Sequence, residues 1–266
     1  HNMIVRCLSL WFGSLPDANI ISAAEGMSAR PELARRLVDH LFLGNDPLLN
    51  VSTDDLDPPI DRLMTHLGIS DIDAALRLAA EPVTLWVELG SYEGGSAILT
   101  ASRMKTQLMG QAVLPTVLCV DTFLGDVRIL WQDHKHRGHM LNADGSFKIL
   151  DRFRWNVVNQ GHQDLILPVP ATSVIGLRLL SVLALEGFPA PQVIYLDSAH
   201  EEGEVYLELE LAWKVLPVGG VLFGDDWVIV DRDGGPVQRD VLLFAEVYQS
   251  ELDDTVGLEL GENIAR

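Results

Sequence analysis

The chain has 266 residues, 48% of them hydrophobic, and a formal net charge of −19. That length provides one large domain, or one domain with a cap, and enough apolar residues for a sizeable core. The negative charge disfavours a nucleic-acid partner, because a phosphate backbone would be repelled, and no apolar run approaches the roughly 18 to 20 residues that cross a bilayer.

The first residues, HNMIVRCLSLWFG, are apolar but lack a basic region and a cleavage site, so we expect no signal peptide. Two cysteines are too few for a disulfide framework, which agrees with a reducing, cytoplasmic location. No membrane partner is expected.

Residues 17–80 carry apolar residues three to four positions apart, a spacing that predicts helices. The clearest helical segments are PELARRLVDHLFLG, PPIDRLMTHLG and IDAALRLAA. The sequence predicts no strand pair before Val83. We therefore expect residues 1–82 to form a helical extension or cap, and residues 83–266 to form the main domain.

After Val83, short apolar runs alternate with helical segments. The predicted strands are VTLWVELG, TVLCVD, DLILPVPA, QVIYLD and GGVLFGDD. Helices are predicted after them at about 95–105, 146–161, 172–187, 204–216 and 235–249. This alternation predicts an α/β fold with a doubly wound, mostly parallel sheet covered on both faces. The C-terminal TVGLELGENIAR leaves room for one further strand.

In such sheets, ligands bind beyond the carboxyl ends of the strands. The first predicted strand ends in ELGSYEGGSA, whose glycines allow a tight turn and a close approach of a ligand to the main chain. The second ends at Asp121, where an acid can bind the hydroxyls of a ribose. These features together favour a nucleoside ligand; a plain strand-to-helix turn and a loop cap are the alternatives.

Carboxylates also end the fourth and fifth predicted strands, at Asp197 and at Asp225 and Asp226. If the two strands are neighbours, these acids converge and repel one another, and a divalent cation would remove that conflict. Oxygen ligands favour Mg²⁺, Mn²⁺ or Ca²⁺.

These motifs together resemble class I S-adenosylmethionine-dependent methyltransferases. The resemblance covers about Val83 to Gln249 and rests on E-x-G-x-x-x-G-G-S, the acid that ends the second strand, D-x-x-H and G-D-D. The subgroup it resembles most is the metal-dependent O-methyltransferases, such as the macrocin and mycinamicin sugar O-methyltransferases and, more distantly, catechol O-methyltransferase.

The resemblance implies a Rossmann-like fold and methyl transfer to a hydroxyl of a small molecule, such as a natural-product sugar, a polyketide or a phenol. One alternative is a cephalosporin hydroxylase-like or other non-methylating enzyme on the same fold. Another is an inactive methyltransferase-like subunit that binds a partner. The glycine spacing, which is not G-x-G-x-x-G, argues against a nicotinamide enzyme.

The resemblance also assigns residues to roles. The residues implied in cofactor binding follow the first three strands: Glu88, Gly90, Ser91, Ser96, Asp121, Thr122 and Ser173. By that likeness Glu88, Gly90 and Ser96 would lie along the methionine part of S-adenosylmethionine. Asp121 would hold its ribose, and Ser173 would lie near its adenine. The resemblance implies that Asp197, Asp225 and Asp226 hold Mg²⁺ or another hard divalent cation.

His200 is predicted to be the catalytic base that accepts the proton of the acceptor hydroxyl, with a helix cap as the alternative. For the loop that contains His134, His136 and His139, we favour a lid or a solvated loop over a zinc site.

The remaining expectations concern surfaces. We interpret the acidic run Glu201, Glu202, Glu204, Glu208 and Glu210 as the solvent face of a helix. Trp227 either lines the acceptor pocket or packs against the sheet edge. By analogy, the N-terminal helices cover the acceptor and can supply subunit contacts, so a homo-oligomer is one expectation.

Overall fold

The computed structural model describes residues 3–6, 30–49, 51, 65–107, 114–127, 131, 134–198, 200–227, 235–248 and 259–260. The strands within these residues are β1 (Met3–Arg6), β2 (Leu85–Leu89), β3 (Thr116–Asp121), β4 (Ile166–Pro170), β5 (Val193–Leu196), β6 (Val221–Gly224) and β7 (Glu259–Leu260). The helices are α1 (Glu32–Phe42), α2 (Ile69–Leu78), α3 (Gly95–Gln107), α4 (His134–Met140), α5 (Ile149–Asn159), α6 (Ser173–Leu185), α7 (Glu204–Val215) and α8 (Pro236–Val247).

The described strands form one sheet in the order β4-β3-β2-β5-β6-β1-β7. The pairs from β4 to β6 are parallel, whereas β1 runs antiparallel to both β6 and β7. The chain leaves β2 towards β3 and β4 and then returns to β5 on the other side of β2. The strand order therefore reverses between β2 and β5, which is where ligands bind in open α/β sheets.

Helices cover both faces of the sheet. Successive strand residues point to opposite faces, so they contribute alternately to two hydrophobic cores, one under each layer of helices. Leu85, Val87 and Leu89 belong to the core that also contains residues of α1, α6, α7 and α8. Trp86 points to the other core, with residues of α2, α3 and α5. The predicted doubly wound parallel sheet is confirmed, and the five predicted strands correspond to β2 to β6.

The sequence predicted no strand pair before Val83, and it gave no indication of β1, a single strand in that region. β1 pairs with β6 from Met3 opposite Gly224 to Arg6 opposite Val221. A four-residue strand formed by pairing with a segment more than 200 residues away leaves little local signal in the sequence. β7 lies in the C-terminal segment that was expected to hold one further strand.

Two of the predicted N-terminal helices are present as α1 and α2. The predicted helix PPIDRLMTHLG lies mostly outside the described residues, and its last four residues, 65–68, are not helical. The domain boundary after residue 82 stays a prediction. No helix within the described ranges combines the length and the apolar character that a membrane span requires.

Candidate active site

A cleft of about 550 Å³ opens at the carboxyl ends of the parallel strands. It crosses the switch point, with the loops after β2 and β3 on one side and the ends of β5 and β6 on the other. Predicted site residues from both sides line it: Gly90, Ser91, Ser96, Asp121, Thr122, Ser173, Asp197, His200 and Asp226. The structure therefore brings together residues from strand ends more than 100 positions apart in the chain.

The turn after β2 requires glycine at its first position. Gly90 has a φ of +85°, and a Cβ added there would lie 1.9 Å from the carbonyl oxygen of Asp197. Gly94 has a φ of +90° and lies against the Phe153 ring. Gly90 thus lets the backbone at the end of β5 pass directly behind the loop, and α3 begins immediately after the turn.

Asp121 fastens this turn to the end of β3. Its Oδ2 accepts hydrogen bonds of 2.8 Å from the backbone N–H groups of Ser91 and Tyr92, and its Oδ1 accepts one of 2.5 Å from Phe123. Tyr92 and Phe123 have positive φ angles of 43° and 55°, so these bonds hold two strained residues in place. Burial raises the pKa of Asp121, and the three N–H groups oppose that shift.

Glu88 lies below the turn, fully buried, and its Oε1 accepts a 2.9 Å hydrogen bond from Ser96 Oγ. Burial raises the pKa of Glu88 to about 7, although the hydrogen bond from Ser96 acts in the opposite direction. This position makes Glu88 a support for the turn. Contact with the methionine part of a cofactor stays a prediction for Glu88.

The ends of β5 and β6 bring Asp197, His200 and Asp226 together. Within the described part of the chain, this is the group whose ligand atoms all lie within 4.8 Å of one another and could hold a metal ion. Burial raises the pKa of Asp197, and the negative charges of Asp225 and Asp226 raise it further. The like charges therefore leave the Asp197 carboxylate in an unfavourable environment unless a cation is nearby.

Asp225, the third predicted metal ligand, is not part of that group. Its Oδ1 accepts a 2.8 Å hydrogen bond from the backbone N–H of Asp226, and its Oδ2 lies 3.4 Å from the Tyr195 hydroxyl. The same hydroxyl lies 3.2 Å from Asp197 Oδ2, so Tyr195 can donate to either carboxylate. Asp226 has a φ of +61°, and this left-handed turn separates the directions of the two adjacent acids.

His200 lies between two carboxylates. Its Nδ1 is 3.2 Å from Asp126 Oδ2, and its Nε2 contacts Asp226 Oδ2 directly. Burial alone would lower the pKa of His200, but the hydrogen bonds and charges of Asp126 and Asp226 outweigh it and raise the pKa to about 10. Without a cation beside Asp226, His200 is therefore held as an imidazolium.

A family comparison decides the class of the protein. Residues 87–227, just over half of the chain, match the family model described as a methyltransferase domain. The chain belongs to this methyltransferase family. The resemblance expected from the strand-end motifs is thereby confirmed at the level of the family. No curated protein matches the chain significantly.

Solved structures similar to this methyltransferase include an O-methyltransferase from Bacillus cereus in complex with SAH, at 16% identity and a TM-score of 0.43, covering 82% of this chain and 86% of that one. The calicheamicin methyltransferase CalS11 is 14% identical, with a TM-score of 0.48 and coverages of 74% and 76%. The O-methyltransferase TomG from Streptomyces achromogenes, in complex with SAM, is 14% identical, with a TM-score of 0.41 and coverages of 68% and 77%.

The methyltransferase carries a buried acid that the sequence analysis assigned to solvent. Glu208 is only 2% exposed, lines the cleft and accepts a 2.8 Å hydrogen bond from Ser198 Oγ. Burial raises its pKa, and hydrogen bonds from Ser173 and Ser198 oppose that shift. The solvent-face interpretation is therefore wrong for Glu208. The spacing of Val205, Glu208 and Leu209 could have shown it, because these positions share one helix face.

Two further residues at the cleft went unrecognised in the sequence. Asp126 follows Gly125, whose φ is +82°, in the loop after β3, and no pattern in the sequence points from it to His200. His66 precedes α2 and lines the cleft from the N-terminal side; its Nδ1 lies 3.9 Å from Asp225 Oδ2 and its side chain is 80% exposed. His66 is thus placed near the open mouth of the acid side.

The histidine-rich segment is a short helix, α4, rather than the predicted loop. His139 Nε2 lies 2.6 Å from Glu93 Oε1, and Glu93 belongs to the turn after β2. The side chains of His134 and His136 lie outside the described residues. This contact joins α4 to the turn after β2. Asn156 of α5 also donates a 2.9 Å hydrogen bond to the Glu93 carbonyl, so two helices hold this residue of the turn.

Trp227 follows the acid pair and is 6% exposed. It packs in the core that contains α7 and α8. Of the two interpretations of Trp227, packing at the sheet is therefore the one the structure supports.

Proposed function

We propose that this methyltransferase transfers the methyl group of S-adenosylmethionine to a hydroxyl oxygen of a small molecule, with a divalent cation at the ends of β5 and β6. The observation that carries the proposal is the shared cleft. The turn after β2 and the acid at the end of β3 open into the same cavity as Asp197, His200 and Asp226. A donor on one side and an acceptor on the other would lie within one enclosed space.

The donor side supports a nucleoside cofactor through its remaining hydrogen-bonding capacity. A carboxylate has about four acceptor positions, so Asp121 can still accept from a ribose hydroxyl while it holds three backbone N–H groups. Thr122 and Ser173 line the cleft on either side of this position. Gly90 and Ser91 line the cleft at the turn, where the methionine part would lie.

The acceptor side fits a hard divalent cation. Carboxylates of Asp197 and Asp226 come within 4.8 Å of each other, and repulsion from neighbouring acids raises the pKa of Asp197. A cation would compensate those charges, and when bound it would hold the acceptor oxygen and lower the pKa of its hydroxyl group.

In the proposed transfer, the bond between the acceptor oxygen and the methyl carbon forms while the carbon–sulfur bond breaks. The sulfur keeps the bonding electron pair, so the sulfonium becomes the thioether of S-adenosylhomocysteine. The hydroxyl proton leaves to a base; the sequence assigns this role to His200, which could accept the proton only once a cation beside Asp226 had displaced the proton that His200 holds without it. The protein contributes by holding the two reactants aligned, which accounts for a large part of the barrier reduction in such displacements.

Calorimetry with S-adenosylmethionine, S-adenosylhomocysteine and NAD tests the donor. We expect both sulfur compounds to bind and NAD not to bind. Asp121→Ala should weaken S-adenosylhomocysteine binding, whereas Asp144→Ala, at an exposed turn acid, should not. A chain that binds NAD in preference to both sulfur compounds would contradict the proposal.

A screen of sugar, polyketide and phenol acceptors with and without Mg²⁺ or Mn²⁺ tests the reaction. We expect methyl transfer to oxygen only when the cation is present. Full activity in excess chelator would show that methyl transfer does not require the cation, and the proposal of methyl transfer itself would stand.

A further inference from the structure

We infer that His200 is itself a metal ligand and that Asp126 is the residue that orients it, so that the cation is held by Asp197, His200 and Asp226. This inference rests on the proposed function and replaces two expectations from the sequence: the all-carboxylate ligand set that includes Asp225, and the role of His200 as base. The proton of the acceptor hydroxyl would then leave to water in the open cleft.

The first support is the geometry of the three ligands. One donor atom from each of Asp197, His200 and Asp226 lies within 4.8 Å of the other two. Ligands around one ion with bonds of about 2.1 Å are separated by roughly 3 to 4 Å, so small side-chain rotations bring all three into range. His200 Nε2 and Asp226 Oδ2 already face each other directly.

The second support is the partner of the other ring nitrogen. A metal-bound histidine almost always gives its second N–H to a carboxylate, a carbonyl or water, which fixes the tautomer and the ring orientation. Here Nδ1 lies 3.2 Å from Asp126 Oδ2. With Nδ1 donating its proton to Asp126, Nε2, which contacts Asp226, is the nitrogen left to bind an ion.

The third support is the direction of Asp225. Its oxygens accept from the Asp226 N–H and lie near the Tyr195 hydroxyl, and its side chain is only 5% exposed. Asp226 is turned away from it by a backbone φ of +61°. The two adjacent acids therefore have different tasks: Asp226 binds the ion, and Asp225 contributes charge and holds the turn.

The mixed donor set has a consequence for the choice of metal. Imidazole nitrogen suits first-row transition ions, whereas Mg²⁺ prefers oxygen alone. We therefore expect the protein to bind Mn²⁺, a transition ion, more tightly than Mg²⁺.

The test is electron spin-echo spectroscopy of Mn²⁺ bound to the purified full-length chain, together with Mn²⁺ titration by calorimetry. We expect ¹⁴N modulation from a directly bound imidazole in the wild type and its loss in His200→Ala, with affinity lower by about tenfold or more. Asp126→Asn should weaken Mn²⁺ binding by about 10- to 100-fold, the usual effect of removing such an orienting partner.

The adjacent acids provide a matched control. Asp225→Asn removes a charge but no ligand, so it should keep the ¹⁴N modulation and weaken Mn²⁺ binding less than Asp226→Asn does. Bound Mn²⁺ without ¹⁴N modulation, or modulation that survives in His200→Ala, overturns the inference and returns His200 to the role of base. If neither the wild type nor any variant binds Mn²⁺ while S-adenosylhomocysteine still binds, both this inference and the proposed metal requirement are wrong. The proposal of methyl transfer from S-adenosylmethionine would still stand.

Discussion

The two sides of the cleft are built in different ways. On the cofactor side, made of the loops after β2 and β3, polar side chains are tied to the backbone, as Asp121 is to three N–H groups. On the acid side, made of Asp197, His200, Asp225 and Asp226, one ligand atom from each of Asp197, His200 and Asp226 lies within 4.8 Å of the other two. Hydrogen bonds between a side chain and the backbone therefore hold the proposed cofactor side in place, whereas on the acid side the carboxylates repel one another and His200 carries a compensating charge.

The largest expected effect is on the cofactor side and concerns the backbone. Gly90→Ala combines a φ of +85° with a Cβ 1.9 Å from the Asp197 carbonyl oxygen, so we expect a loss of more than about 3 kcal/mol in the free energy of unfolding, or no folded protein. Gly161→Ala is the matched control, because its φ is +72° but no atom lies within 4 Å of the new Cβ. It should cost about 1 kcal/mol. Equal losses in urea unfolding would show that the close approach of β5 is unimportant.

Removal of the cation should affect methyl transfer and cofactor binding differently. Excess chelator, or Asp197→Asn, should lower methyl transfer by about 100-fold or more because the hydroxyl loses its activation. Binding of S-adenosylhomocysteine should stay nearly unchanged, since Asp121 and the turn after β2 do not depend on the ion. A parallel loss of cofactor binding in calorimetry would mean that the two sides are not independent.

Glu88, the buried acid beside the turn after β2, should make the free energy of unfolding depend on pH. Burial raises the pKa of Glu88 from 4.5 to about 7, so the folded protein binds this proton more tightly than the unfolded chain does. The free energy of unfolding should therefore fall as the pH rises from about 4.5 to 7, and Glu88→Gln should remove a fall on the order of 2 to 3 kcal/mol. Urea unfolding of both proteins at pH 5 and pH 7.5 measures it; an identical pH response in both would contradict the assignment.

The smallest expected effect is at the mouth of the acid side. His66 is mostly exposed and lies 3.9 Å from Asp225, so its contribution is limited by solvent. His66→Ala should raise the KM for the acceptor by up to about fivefold and leave S-adenosylhomocysteine affinity unchanged. A change in cofactor affinity with no change in acceptor KM would place the acceptor elsewhere in the cleft.

The parallel strands and the edge of the sheet at which the candidate site lies could be predicted from the sequence. The strands β2 to β6 are near-continuous apolar runs bounded by turns, and the rule for parallel sheets brings Gly90, Asp121, Asp197 and Asp226 to one edge. Neither step requires knowledge of side-chain orientation, because the carboxyl ends of parallel strands always meet.

What could not be predicted depends on single backbone angles and on non-local pairing. The left-handed φ of Asp226 decides which of two adjacent acids faces the cleft, and an aspartate in that conformation has no distinctive sequence signal. Asp126 reaches His200 only after two loops from different strands have folded. The short β1 depends on its pairing with β6.

A crystal structure with S-adenosylhomocysteine and Mn²⁺, with anomalous data for the metal, tests most directly whether donor and cation share the cleft. The account predicts the thioether sulfur beside the Gly90 turn, the ribose at Asp121, and the anomalous peak between Asp197 and Asp226 on the side towards the sulfur. An ion found elsewhere, or carboxylates of Asp197 and Asp226 that turn away from the bound cofactor, would contradict it.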